Sequence, residues 1–182
     1  MQKKYKKVVI GGTFDVLHKG HEALLRRAFK LGETTIGLTS NKMAEIMKKR
    51  KVRDFQLRKK RLENFIKKEL TGKYKIIKIE DKFGPTLKED FDYIVVSPAT
   101  YKTAMLINRK RSKTEPRSSG TKVKKRTKTS SPRKKKPIKI VKIKFVLGEN
   151  EKPVNATQII KGRITKQGKL IKKQKTFCSP NP

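Results

Sequence analysis

Val8 to Leu25 reads VVIGGTFDVLHKGHEALL, and this stretch decides the fold. Val8-Val9-Ile10 is a short apolar run of the kind that forms a buried strand. It stops at Gly11-Gly12. Thr13-Phe14-Asp15 and a short loop lead to His18-Lys19-Gly20-His21, and an amphipathic helix follows at once with Glu22-Ala23-Leu24-Leu25. Strand, glycine turn, polar loop and helix start together form one half of a nucleotide-binding βαβ unit. Glycine lets the backbone approach a ligand with no side chain in the way. The helix start offers unpaired N–H groups and a positive dipole end to an anion. His18 and His21, the only histidines in the chain, stand at this junction. Their spacing puts both side chains on one side of a first helical turn.

The common phosphate-binding fingerprints are missing. There is no G-x-x-x-x-G-K-[ST], which argues against a P-loop, and no G-x-G-x-x-G, which argues against a dehydrogenase. As metal ligands the two histidines lack a Cys or third His to close a site, so no metal site is assigned. What stands instead is GGTFD followed by H-x-G-H. That combination resembles the nucleotidyltransferase superfamily with the H-x-G-H signature. The wording GGTFDVLHKGHEALL is most similar to the archaeal-type phosphopantetheine adenylyltransferases.

A length of 182 residues fits one domain with a sizeable core. No apolar run approaches the ~20 residues needed to span a bilayer. The basic start MQKKYKK precedes an apolar run too short for a signal peptide. The single cysteine, Cys178, excludes an intrachain disulfide, and a cytoplasmic protein is expected. The net charge is +36. Such a chain attracts phosphate-bearing partners. The lysines are spread over every expected surface, however, without the aromatic interleaving that stacks bases. Non-specific polyanion binding is the expectation.

After the signature, His21 to Leu31 reads as a helix closed by Gly32. Thr34 to Thr39 reads as the second strand. A short helix from Lys42 to about Lys48 is capped by Ser40 or Asn41. Strand, helix, strand implies a right-handed parallel crossover. KKRKVR, Lys48 to Arg53, then lies near the carboxyl end of the second strand, where such sheets bind ligands. Phe55 to Leu70 has an apolar helical stripe of Leu57, Leu62, Phe65, Ile66 and Leu70. Tyr74 to Ile79 is the third strand, Asp81 to Thr86 holds a Gly-Pro turn, and Asp92 to Ser97 is the fourth strand. A helix runs from about Tyr101 to Lys110, with Thr100 either capping it or touching a nucleotide. Arg109 to Lys136 holds 14 Lys or Arg and one acid, Glu115. It has no apolar period, and like-charge repulsion predicts disorder. The domain is therefore read as residues 1–171, with a basic insertion at about 111–136 and a flexible tail at 172–182. Ile138 to Leu147 alternates as a last strand with lysines suited to an edge. Another helix opens at Asn155.

The resemblance implies a Rossmann-like, doubly wound α/β fold: a five-stranded parallel sheet with helices on both faces. It implies transfer of an adenylyl group from ATP to 4′-phosphopantetheine, with Mg²⁺ on the ATP. His18 and His21 would be catalytic. Gly11, Gly12, Thr13, Phe14, Gly20, Asn155 and Thr157 would meet the nucleotide, although Phe14 reads equally well as packing under the loop. Thr13 and Lys51 would hold the acceptor phosphate, with the register among Lys48 to Lys51 open. Ser97, Pro98, Thr100, Ala104, Ile107 and Asn108 match the family's S-P-x-T…A…I-N pattern, and the Gly-Pro turn also matches. Where the family has I-S-S-T-x-I, this chain keeps Thr157 and Ile159 but has Asn155 and Ala156 in place of the serines. Asn155 can still cap the helix and donate its amide. Arg58 matches a family arginine and is given no catalytic role. Two rivals stand: another transferase of the superfamily, either cytidylyltransferase or FAD-forming, and a basic nucleic-acid-binding protein on a degenerate enzyme scaffold.

Overall fold

The structure, a computed structural model, describes residues 5–112 and 135–171. Five strands form one parallel sheet in the order β3-β2-β1-β4-β5. They are β1 (Lys7–Gly12), β2 (Glu33–Thr39), β3 (Tyr74–Ile79), β4 (Tyr93–Val96) and β5 (Lys139–Lys142). The helices are α1 (Lys19–Leu31), α2 (Asn41–Lys48), α3 (Phe55–Glu69), α4 (Tyr101–Ser112) and α5 (Ala156–Ile160). Strand order reverses beside β1, so a crevice opens at the carboxyl ends of β1 and its neighbours. The expected doubly wound α/β sheet is what forms.

Alternation along β1 divides the core between the two faces. Val8 and Ile10 pack with Leu24, Leu25 and Ala28 of α1 and with Leu62 and Ile66 of α3. Val9 joins Ile94, Val96, Ala104, Ile107 and Ile138 on the other face, under α4. Both faces are covered, as an all-parallel sheet requires.

Three elements differ from the sequence reading. The stripe that α3 buries is Arg58, Leu62 and Ile66, while Leu57 turns outward. A charged residue thus occupies a core position, for reasons that appear at the site. The alternating run Ile138–Leu147 forms a strand only over Lys139–Lys142, because β4 offers just four residues to pair with. Beyond it Ile143 N–H still donates to Val96 O at 2.9 Å, and Leu147 then bridges to Pro153 instead. Finally, α4 continues through Arg111 and Ser112. Those two residues belong to the helix and not to the basic insertion. Of the rest of the insertion expected to be disordered, Lys135 and Lys136 are described and lead toward β5, while 113–134 and the tail at 172–182 lie outside the described residues.

Candidate active site

The first turn of α1 holds both histidines. His18 is the N-cap: its backbone is extended, and its Nδ1 accepts a hydrogen bond from Gly20 N–H at 3.1 Å. A neutral His18 therefore carries its proton on Nε2 and offers that N–H outward. His21 Nδ1 lies 3.2 Å from the Val16 carbonyl oxygen. A carbonyl only accepts, so this nitrogen donates and the other keeps its lone pair when the ring is neutral. The two rings stack with centroids 3.9 Å apart. Burial pushes the His18 imidazole down to about 4, helped by the charge of Lys48. Burial also pushes His21 down to about 3, with His18 and Lys48 adding to it against the raising effect of the Val16 carbonyl. Both rings are neutral at neutral pH.

Close packing around the histidines needs glycine at two positions. A Cβ on Gly20 would stand 3.0 Å from His18 Cε1, and one on Gly12 would stand 2.9 Å from the Phe14 ring. Phe14 itself is 1% exposed, has φ of 47°, and tilts its ring against His21 at 4.9 Å. Phe14 thus packs against His21 from beneath the loop. Gly11 and Gly12 end β1 at the crevice, and Thr13 is buried beside them.

The Thr13-Phe14-Asp15 loop is tied to the basic loop by a lattice the sequence reading missed. Arg58 is fully buried and donates three ways: Nη1 to Thr13 O at 2.9 Å, Nε to Arg53 O at 2.7 Å, and Nη2 to Asn41 Oδ1 at 2.8 Å. Burial weakens its hold on the proton while Asp15 and Asp54 strengthen it. Asp15 is 2% exposed and ion-paired with Arg50 at 2.8 Å and Arg53 at 3.3 Å. Arg53 N–H also donates to Asp15 Oδ1 at 3.0 Å. Burial alone would raise the Asp15 carboxyl, but these hydrogen bonds and charges hold it below the usual carboxylate value. Asp54, hydrogen-bonded by Asn41 at 2.9 Å, caps α3 through Gln56 N–H at 2.7 Å. Asp15 and Arg53 are 38 residues apart, Thr13 and Arg58 45, and the loop is crowded with cations, so spacing could not choose among them. The signal available was the lone acid in GGTFD.

Lys51 is exposed on this loop. Among the four candidates for the phosphate-binding cation, Lys48 at the end of α2 is the one whose charge reaches both imidazoles.

The segment after β5 closes the site over α1. Lys19 N–H donates to Lys166 O at 3.2 Å, and the Gly20 Cα side lies against the Val154 carbonyl. Asn155 and Thr157 are thereby brought to the histidine end of α1. Asn155 caps α5 by accepting from Gln158 N–H at 3.0 Å, and its amide donates to Pro153 O at 3.0 Å. That amide is committed to the cap, while Thr157 is exposed.

A cavity of about 130 Å³ lies across the carboxyl ends of β1 and β4. Gly11, Gly12 and Thr13 form one wall, Phe83 to Thr86 another, and Thr100 with Ala104 and Ile107 of α4 a third. It is mostly apolar. A wider cleft of about 950 Å³ between α2 and the end of β3 shares Met43, Met47 and Lys82 with it, and neither histidine lines either space. Thr100 hydrogen-bonds back to Ser97 and faces the cavity. Among the described residues no cluster of His, Cys, Asp or Glu could hold a metal ion.

Comparison with known proteins gives one answer. A family described as cytidylyltransferase-like matches residues 9–162. The phosphopantetheine adenylyltransferase of Methanosarcina mazei is 38% identical over 91% of this chain and 97% of its own. That of Archaeoglobus fulgidus is 36% identical over 91% and 99%. A crystal structure of an Archaeoglobus fulgidus protein of unknown function, 36% identical, superposes with a TM-score of 0.61 over 75% of this chain and 88% of that one.

Proposed function

The chain belongs to the cytidylyltransferase-like family, among the phosphopantetheine adenylyltransferases, and from that premise we propose how its residues carry the reaction. The activity is transfer of an adenylyl group from ATP to 4′-phosphopantetheine, giving dephospho-CoA and pyrophosphate. An acceptor phosphate oxygen forms the new bond to the α-phosphorus. The bond from that phosphorus to the pyrophosphate oxygen breaks. The acceptor is already an anion, so no side chain need remove a proton from it. Catalysis is then placement plus hydrogen bonding to charge that develops on phosphate oxygens.

The paired histidines at the N-terminus of α1 carry the proposal. His18 presents Nε2–H to the phosphates. His21 becomes a donor on taking a proton, which the triphosphate charge favours. Thr13, Gly11, Gly12 and Gly20 let the chain lie close to the nucleotide, and Thr157 approaches it from the closing segment. Lys48 or Lys51 neutralises the acceptor phosphate beside Thr13. The apolar cavity under α4 takes the pantetheine arm. Mg²⁺ enters on ATP, held by phosphate oxygens and water. Asp15, the buried carboxylate nearest the loop, is engaged by Arg50 and Arg53 and fits that division of labour. A cytoplasmic setting suits these substrates, and no helix among the described residues is long and apolar enough to cross a membrane.

Pyrophosphate release from ATP or CTP with 4′-phosphopantetheine, glycerol 3-phosphate or FMN tests the substrates. Release only with ATP and 4′-phosphopantetheine together is expected. Release with another pair moves the substrate assignment and leaves the fold. Silence with all pairs would bring forward polyanion binding as the function of this basic chain.

A further inference from the structure

We infer that Arg111 is the positioning residue that fixes the acceptor wall of the active site, an inference that rests on the acceptor arm occupying the cavity beneath α4. Arg111 lies in the last turn of that helix, yet its side chain is 1% exposed. A charged side chain is held this deeply only where its donors are satisfied. Nη1 donates to the carbonyl oxygens of Thr86 and, at 2.9 Å, Glu89. Nη2 donates to Asp90 Oδ1 at 2.9 Å, and Nε to Lys136 O at 2.9 Å. Three of its four acceptors are backbone carbonyls, so the side chain clamps chain geometry more than it neutralises charge.

The clamp joins two walls of one cavity. Ile107 and Ala104, one and two turns before Arg111 on α4, form one wall. Pro85 and Thr86 form the facing wall. The near end of that turn has its own anchor, since Asp81 Oδ1 accepts from Phe83 N–H at 2.6 Å and Gly84 N–H at 2.8 Å. Its far end is the clamped one: Arg111 takes the Thr86 and Glu89 carbonyls together. Phe83 and Leu87 also pack with Ala104 and Ile107 across the gap, but among the described residues the hydrogen bonds between α4 and residues 86–90 all come from this one guanidinium. The histidine junction is built from α1, β1 and the Asp15 lattice and makes no hydrogen bond to Arg111. Loosening the clamp therefore widens the cavity between α4 and the Pro85-Thr86 turn and leaves the histidine junction in place.

Steady-state kinetics of Arg111→Met, Arg111→Lys and Asp90→Asn test this. Arg111→Met should raise KM for 4′-phosphopantetheine ~10-fold while KM for ATP and kcat at saturating acceptor stay within ~2-fold. Arg111→Lys should fall between, since one ammonium cannot reach all four acceptors. Asp90→Asn should match the unaltered enzyme, because the Asp90 side chain is 80% exposed and the three carbonyls keep their donors. A common rise in both KM values, or an unchanged acceptor KM in a folded Arg111 variant, overturns the inference. Should Arg111→Met not fold, the same split in Arg111→Lys decides. Failure of the unaltered enzyme to use 4′-phosphopantetheine at all would instead sink the functional reading, and is seen before any variant is made.

Discussion

Nδ1 of His21 lies 3.2 Å from the carbonyl oxygen of Val16. The hydrogen bond fixes the proton on that nitrogen, so a neutral His21 turns a lone pair, not a donor, toward the site. Its burial holds the free enzyme in this form, with the imidazole pushed down to about 3. Triphosphate oxygens placed against it favour the imidazolium. ATP binding at pH 7 should then take up about one proton. Calorimetry in buffers of different ionisation enthalpy measures it. His21→Ala should abolish the uptake and lower kcat at least ~10²-fold, the scale of one lost transition-state donor. Binding without uptake in the unaltered enzyme would mean His21 acts only through its shape.

The same burial makes stability depend on pH. Both imidazoles titrate below the unfolded value of 6.5, at about 4 for His18 and about 3 for His21. Between those values and 6.5 the unfolded chain binds more protons than the folded one, so stability rises with pH. Lowering the pH from 7 to 5 should cost about 2 kcal/mol for each histidine. Urea denaturation at the two values checks it. A double variant, His18→Asn with His21→Asn, should lose most of this slope. An equal slope in that variant would place the proton uptake elsewhere.

Gly20→Ala should separate placement from folding. The new Cβ would meet His18 Cε1 at 3.0 Å and Nδ1 at 3.1 Å, and the Val154 carbonyl at 3.5 Å. The imidazole is the movable partner, so it should swing off the N-cap and stop pointing Nε2–H at the phosphates. Alanine is otherwise a good residue inside a helix. We expect kcat to fall ~10-fold or more with a thermal midpoint changed by no more than a few degrees. Unchanged turnover would show that His18 need not hold its N-cap geometry.

Asp15→Asn removes the charge on which Arg50 and Arg53 converge. Two partly exposed guanidiniums would then face a neutral amide, and the basic loop would be pushed outward. Breaking a fully buried pair costs about 3–5 kcal/mol, and the partial exposure of both guanidiniums should keep the loss below that. The loop carries Lys51, so KM for 4′-phosphopantetheine should rise along with the loss of stability. Stability falling with no change in that KM would detach the loop from acceptor binding.

How much could be read beforehand follows from where each signal lies. The β1–α1 junction was legible because all its parts sit within one short stretch: apolar run, glycines, histidines, amphipathic helix. Burial on both faces of β1 was legible in the unbroken apolar run Val8-Val9-Ile10. Arg58 was not, because a charge in an otherwise apolar stripe reads as surface until Thr13 O, Arg53 O and Asn41 Oδ1 are seen around it. The end of β5 was not, because its length is set by the four paired residues of β4 and not by its own alternation. Arg111 lay hidden for a third reason: in a basic run, one buried cation looks like its exposed neighbours.

That last residue also bears on the basic insertion. Its two ends are fastened to each other independently of what lies between. Arg111 Nε donates to Lys136 O. Asn108 and Ile138 exchange a pair of hydrogen bonds, Nδ2 to Ile138 O at 2.8 Å and Ile138 N–H to Oδ1 at 2.9 Å. β5 continues from there into the sheet beside β4. Replacing residues 113–134 with a short Gly/Ser linker should therefore leave the thermal midpoint and kcat close to those of the full chain. The loss of so many cations should weaken salt-dependent binding to RNA, since the electrostatic part of such binding scales with the phosphates neutralised. Thermal melting, pyrophosphate release and a salt titration of RNA binding on the same variant read all three. Intact catalysis with RNA binding lost assigns polyanion binding to the insertion alone. Intact RNA binding would assign it to the folded domain, where it would compete with ATP for the same cations, and ATP should then displace the RNA.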